Sequence, residues 1–295
     1  MPKTDRWQWY VEESAPSEQH HHAIDRVFFA GRSDFQQVAV IGTPVFGKML
    51  VLDGDTQSAQ ADEAIYHETL VHPALAATAD RGEVLVLGGG EGATLREVLR
   101  SPDVRRCTMV DIDGLVIDLS KRYLPEWSDG AFDDARARVI VGDALQFMRD
   151  DRDRYGAIVS DLTEPLEDSP SNPLFSDDVF RLIKSRLAEG GIYVLQASTA
   201  AVHNASLHCK MARTLRRHYA HVASFLTHVP AFDTEWAFLA CSDRVDLAAL
   251  RDVTIDEYCA KLRGESFFYD AVTHRRLFSL PLYLRRLLAA PGSTF

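Results

Sequence analysis

Val84-Leu85-Val86-Leu87-Gly88-Gly89-Gly90-Glu91-Gly92-Ala93 decides the fold. Four apolar residues run into three glycines, after which Leu95, Val98 and Leu99 recur at helical spacing. An apolar run that ends in a glycine turn and opens a helix is the first strand–turn–helix step of a parallel sheet. The step repeats outward. Cys107-Thr108-Met109-Val110, Arg138-Val139-Ile140-Val141, Ala157-Ile158-Val159-Ser160 and Ile192-Tyr193-Val194-Leu195-Gln196 read as further strands. Helical spacing, as in Val179, Leu182, Ile183 and Leu187, lies between them. Near-continuous apolar strands alternating with helices mean a sheet covered on both faces. Residues 222–229 and 236–240 look like two closing strands, which makes seven.

Upstream the texture differs. Val27-Phe28-Phe29, residues 35–41 and Met49-Leu50-Val51-Leu52 are short β-type runs between turns at Gly42-Thr43-Pro44, Gly47 and Asp53-Gly54-Asp55. They predict a small antiparallel sheet of hairpins. The expected organisation is an N-terminal β domain over residues 1–61, an α/β domain with a mostly parallel sheet over 62–243, and a helical tail over 244–295 that packs on it. The run His20-His21-His22 reads as a solvated loop, since no further ligand accompanies it at helical spacing.

The chain has 295 residues, with 32 Lys and Arg against 43 Asp and Glu, a formal net charge of −11. That balance argues against nucleic acid as a partner. Four cysteines stand far apart, without CxxC spacing, and are expected as reduced thiols in a cytoplasmic protein. The N-terminus lacks the apolar core of a secretory signal, and no apolar run reaches the roughly 20 residues of a membrane span.

Ligands of open parallel sheets bind beyond the carboxyl ends of the strands. There the sequence places Glu91, then Asp111 and Asp113, then Asp143, then Asp161 and Glu164, followed by Glu167 and Asp168. So acidic a rim suits a cation better than a phosphate. Gly88-x-Gly90-x-x-Ala93 also fits a dinucleotide fingerprint, but Glu91 would face the pyrophosphate. A nucleoside without phosphate fits better. Asp111 can accept from ribose hydroxyls and Asp143 from an adenine amine, although Asp143 can equally cap a helix. Adenosine with a positive centre describes a sulfonium donor. Glu91 would repel the carboxylate of S-adenosylmethionine and pair with the ammonium of its decarboxylated form. As a first-turn acid, it also suits the helix dipole.

These residues resemble the polyamine aminopropyltransferase (spermidine synthase) family over nearly the whole chain. The likeness runs through Phe46-Gly47-Lys48-Met49-Leu50-Val51-Leu52-Asp53-Gly54, Asp62-Glu63-Ala64-Ile65-Tyr66-His67-Glu68, the glycine turn, Asp111-Ile112-Asp113, Gly142-Asp143 and Asp161-Leu162-Thr163-Glu164-Pro165. The resemblance implies an N-terminal β-hairpin domain before a Rossmann-like, methyltransferase-type domain. It implies decarboxylated S-adenosylmethionine as co-substrate, release of methylthioadenosine, and no metal or other cofactor. By motif, Gly88, Gly90 and Glu91 would bind the donor, Glu91 through its aminopropyl ammonium. Gln36 and Asp111 would hold the ribose region and Asp143 the adenine. Asp161 would be the catalytic carboxylate. Tyr66, His67, Glu164, Phe232 and Trp236 would line the acceptor groove, with Asp233 and Glu235 beside them. A homodimer or homotetramer through the N-terminal sheet is expected.

Glu91, Glu164 and the segment His228-Val229-Pro230-Ala231-Phe232-Asp233-Thr234-Glu235-Trp236 depart from the spermidine synthase pattern. They are similar to the thermospermine synthase branch, which points to spermidine as acceptor rather than putrescine or agmatine. An S-adenosylmethionine methyltransferase on the same fold is the first alternative. A non-catalytic polyamine or nucleoside sensor is the second.

Overall fold

The computed structural model describes residues 7–15, 18–165, 171–292 and 294. Glu167 and Asp168 lie outside them.

The chain begins with an antiparallel pair, β1 (Gln8–Ala15) and β2 (Glu18–Ile24). Four antiparallel strands follow in sequence order: β3 (Arg26–Arg32), β4 (Gln37–Thr43), β5 (Gly47–Leu52) and β6 (Asp55–Ala59). Helix α1 (Glu63–Ala77) leads from this sheet into the larger one. The strand–helix alternation is β7 (Glu83–Gly88), α2 (Ala93–Leu99), β8 (Arg106–Asp111), α3 (Gly114–Tyr123), α4 (Pro125–Ser128), β9 (Ala137–Val141), α5 (Ala144–Asp150), β10 (Tyr155–Asp161), α6 (Asp177–Arg186), β11 (Leu187–Thr199) and α7 (Ser206–Leu215). Strands β12 (His221–Val229) and β13 (Thr234–Ser242) close the sheet, and α8 (Asp252–Cys259), α9 (Ala271–Phe278) and α10 (Leu282–Ala289) complete the chain.

The seven-stranded sheet has the order β12-β13-β11-β10-β7-β8-β9. It is parallel from β9 through β11, with β13 and β12 antiparallel at one edge. This is the expected Rossmann-like architecture. Its core follows from side-chain alternation along buried strands. Val84, Val86, Cys107, Met109, Val159 and Val194 face one layer, while Leu85, Leu87, Val110, Ile158, Tyr193 and Leu195 face the other. Strand order reverses between β7 and β10, where Gly88 pairs with Asp161. That switch point opens the crevice.

The two sheet systems are joined by a small apolar cluster. Val38, Val40, Leu50 and Leu52 meet Ala93, Val116, Leu119 and Trp127. Burying side chains of this kind contributes about 1.5–3 kcal/mol each relative to exposure. Polar ties add to it. Ser33 and Gln36 both donate to Oδ2 of Asp113, at 2.7 and 2.9 Å.

Two expectations are corrected. His20-His21-His22 is not a loop: it lies in β2, paired with residues 10–12 of β1, and His22 stacks on Tyr10 with ring centroids 5.9 Å apart. The polar composition of β2, together with the short unalternating run Trp9-Tyr10-Val11 in β1, hid this hairpin from a reading based on apolar runs. The run placed at 35–41 forms at Gln37–Thr43 instead, because Ser33 N–H bonds to the Gln36 carbonyl and closes a turn first. Cys107, Cys209, Cys241 and Cys259 are free thiols, and among the described residues no helix is long and apolar enough to cross a membrane.

Candidate active site

A cavity of about 1550 Å³ lies over the switch point, between the carboxyl ends of the parallel strands and the N-terminal strands. Gln36, Tyr66, Gly88, Gly90, Glu91, Asp111, Asp143, Asp161, Glu164, Phe232 and Trp236 all line it. His67 does not: it is buried behind the wall, with 1% of its surface exposed. This corrects the expectation that it lines the groove.

The glycine turn is shaped by steric necessity. Gly88 and Gly89 have φ of 80° and 75°, which side-chain-bearing residues rarely adopt. A Cβ on Gly88 would collide with the carbonyl oxygen of Asp161, and one on Gly90 would stand 2.8 Å from Oδ2 of Asp111. The turn thus lets three strand ends crowd together. Gly90 N–H donates to Asp111 Oδ2 at 2.9 Å, and Asp113 N–H donates to Oδ1 at 2.8 Å. Burial pushes the Asp111 carboxyl up to about 6 despite these donors, with the Asp113 and Asp161 charges adding to the rise.

Asp161 ends β10 and receives two hydroxyls. Tyr66 Oη donates to Oδ1 at 2.8 Å, and Thr94 Oγ1 donates to Oδ2 at 2.5 Å. Tyr66 sits on α1 and Thr94 on α2, so three elements fix the plane of one carboxylate. Burial first, then the Asp161 charge, pushes the Tyr66 phenol well up, which keeps it a donor. Asp143 is exposed and caps α5, its Oδ1 accepting from Leu145 N–H at 2.7 Å and Gln146 N–H at 3.2 Å. A capped carboxylate keeps free lone pairs, so the cap and a ligand contact are compatible.

The acids continue beyond Asp161. Glu164 bonds to Ser198, a residue at φ 68°, and burial raises its carboxyl. Gln196 ties this corner together, donating to the Leu162 carbonyl at 2.6 Å and accepting from Ser198 N–H at 3.1 Å. Glu12 and Asp55 also line the cavity. Glu12 accepts from the Thr56 N–H and hydroxyl at 3.1 and 2.7 Å. Burial, then Glu12 and Glu164, pushes Asp55 up to about 6. Aromatic rings form the facing wall, with Phe232 5.0 Å from Trp236 and 6.1 Å from Tyr66 between ring centroids. The turn carrying Phe232 is anchored by Asp62 Oδ2, which accepts from Ala231 N–H at 2.6 Å. Trp236 Nε1 is buried without a hydrogen-bond partner among the described residues.

Thr94, Ser58, Glu12, Asp55, Gln196 and Ser198 are site residues that sequence reasoning did not single out. Asp113, expected among the rim acids, is buried and instead caps α3 through Leu115 N–H at 3.0 Å.

Two family descriptions match the chain: "Spermine/spermidine synthase domain" over residues 63–249 and "Spermidine synthase tetramerisation domain" over residues 8–60. A polyamine aminopropyltransferase of Sulfolobus acidocaldarius is 43% identical over 280 residues, covering 95% of this chain and 92% of the relative. One of Sulfurisphaera tokodaii is 39% identical over 283 residues, covering 96% and 93%. A crystal structure of spermidine synthase in complex with the transition state analogue AdoDATO superposes with a TM-score of 0.89 at 25% identity, covering 98% of this chain and 96% of the other. The Thermotoga maritima spermidine synthase gives 0.86, also at 25% identity, with 98% and 95% covered.

Proposed function

The chain belongs to the spermine/spermidine synthase family, and from that premise we propose that it moves an aminopropyl group from decarboxylated S-adenosylmethionine to spermidine. The product is thermospermine or spermine, and methylthioadenosine leaves. The observation that carries this reading is one cavity whose lining holds a row of acids, Glu91, Asp161, Glu164, Asp55 and Glu12. A donor with one ammonium and one sulfonium uses the first part of that row. An acceptor with several ammoniums matches the remainder better than a diamine does.

The donor side is Glu91 for the aminopropyl ammonium, Asp111 for the ribose hydroxyls and Asp143 for the adenine amine. Gly88 and Gly90 allow close backbone approach. Gln36 walls the ribose region while one amide N–H holds Asp113. The acceptor side is Tyr66, Glu164, Phe232 and Trp236, with Asp233 and Glu235 at the same wall.

The reaction is an in-line displacement. The acceptor amine, with an ordinary pKa near 10, first gives up a proton, and Asp161 is the group we assign to accept it or relay it to solvent. Its lone pair then forms the C–N bond at the propyl carbon beside sulfur. The C–S bond breaks with its electron pair passing to sulfur, and neutral methylthioadenosine departs. Positive charge moves from sulfur to nitrogen. Asp161 would orient the amine and stabilise that developing ammonium, a role supported by the two hydroxyls of Tyr66 and Thr94 that fix its carboxylate beforehand.

Chromatography of the products formed from the decarboxylated donor with putrescine, agmatine, cadaverine and spermidine in turn tests the assignment. Preference for spermidine supports it, and a strong putrescine preference overturns the choice of acceptor. We also infer a homo-oligomer assembled through the N-terminal strands, where Trp9, Val11 and Val27 are exposed. Light scattering would separate dimer from tetramer.

A further inference from the structure

His67 faces no cavity, yet it is held between two carboxylates. Its Nε2 lies 2.5 Å from Glu91 Oε1, and its Nδ1 lies 2.9 Å from Glu63 Oε2. Both ring nitrogens can donate at once only in the imidazolium. Burial opposes that charge, but Glu91 and Glu63 outweigh burial and hold the imidazolium well above its ordinary range. Glu63 is braced in turn by Arg96, whose guanidinium donates to its two oxygens at 3.0 and 2.9 Å. Arg96 continues to Glu97 at 2.8 Å, so charges alternate outward from the donor side of the cavity.

Glu91 is held on its other oxygen as well. Ser58 Oγ donates to Oε2 at 2.6 Å and itself accepts from Trp127 Nε1 at 2.9 Å. Glu91 is 7% exposed. A carboxylate so buried without a counter-charge is strongly unfavourable. His67 supplies the counter-charge from behind, leaving the cavity side of Glu91 for a ligand.

We propose that His67 is the positioning residue of the donor pocket: as an imidazolium braced by Glu63 and Arg96, it pairs with Glu91 from behind and holds it aimed at the donor ammonium. This rests on the reading of Glu91 given above. It differs from an acceptor-groove role, which would require His67 to touch the amine.

The test begins with methylthioadenosine release by the wild-type protein from the decarboxylated donor and each amine. Failure at that step overturns the activity and not the role of His67. His67→Gln, His67→Leu and Glu63→Gln are then compared by kinetics and titration calorimetry. His67→Leu should raise the donor KM by about tenfold or more, the loss of one charge-assisted pair. His67→Gln, which still donates to Glu91, should recover most of that. Glu63→Gln acts from outside the cavity and should shift the donor KM in the same direction. Acceptor KM should hold within about twofold. Methylthioadenosine lacks the ammonium, so its affinity should survive in all three variants. Parallel loss of donor and methylthioadenosine affinity, or a shift in acceptor KM in place of donor KM, would overturn the proposal. If the leucine variant does not fold, the Gln variants decide by the same readouts.

Discussion

The phenol of Tyr66 donates to Oδ1 of Asp161 across 2.8 Å, joining the first long helix to the end of the central strand. Thr94 holds the other oxygen at 2.5 Å. Asp161→Asn keeps the shape but removes the charge that meets the developing ammonium. Turnover should fall by about 10²–10³, in the range seen when a preorganised electrostatic group is removed. Donor affinity should change little. Steady-state kinetics with donor titration checks this, and near-normal turnover would refute the role.

Tyr66→Phe and Thr94→Val each remove one hydrogen bond to the same carboxylate. Each should lower kcat by roughly ten- to a hundredfold, since one hydrogen bond to a charged group contributes about 1.5–3 kcal/mol. The double variant should fall by less than or more than the product of the two, because both act on one group. Strict multiplicativity in a double-mutant cycle would argue that the hydroxyls act independently.

Gly88→Ala introduces a Cβ against the Asp161 carbonyl at a backbone φ of 80°. Strain of this kind costs about 1–3 kcal/mol. The thermal midpoint should drop by several degrees, and activity should fall further than stability, because the collision displaces Asp161. Retained activity with an unchanged midpoint would show that the turn has room to relax.

Asp55 is pushed up to about 6 by burial and then by Glu12 and Glu164. An ammonium binds the ionised carboxylate, so acceptor affinity should improve as pH rises through about 6 and then level off. Asp55→Asn should remove that step and raise the spermidine KM by about tenfold. A pH profile identical to wild type would place Asp55 outside the acceptor's path.

Glu63 and Glu97 sit in the buried ion-pair row behind the cavity. Burial alone would raise both carboxyls. His67 and Arg96 outweigh it at Glu63; His72, Arg96 and Arg100 do so at Glu97, and both end up lowered. A carboxyl depressed in the folded state contributes stability that is present above its unfolded value, about 4.3. That stability is lost as pH falls toward the folded value. Glu97→Gln should therefore lower stability by about 3 kcal/mol at neutral pH. Its further loss on acidification should be shallower than in the wild type. Urea unfolding from neutral pH down to about pH 2 measures both.

Much of this site was legible in the chain because its glycines and acids recur at strand ends. A strand that runs apolar and stops at Gly88, Asp111 or Asp161 announces both the sheet and its rim. The first hairpin was not legible, since Trp9-Tyr10-Val11 and His20-His21-His22 are runs without alternation and only pairing gives them a face. Thr94 and Ser58 carried no signal of their own, because a hydroxyl is chemically ordinary until a carboxylate stands beside it.

Period and charge along the sequence determined the parallel sheet, the glycine turn and the cluster of acids above it, because burial periodicity and backbone sterics act between near neighbours. Only the tertiary structure decided what each group faces. His67 and Tyr66 are adjacent on one helix, yet the helical rotation between them sends Tyr66 to the cavity and His67 into the wall. Which carboxylates meet a ligand, and which meet an imidazolium, depends on contacts between segments far apart in the chain, such as Glu63 with Arg96 and Ser58 with Glu91. Those contacts exist only once the sheets have closed on each other.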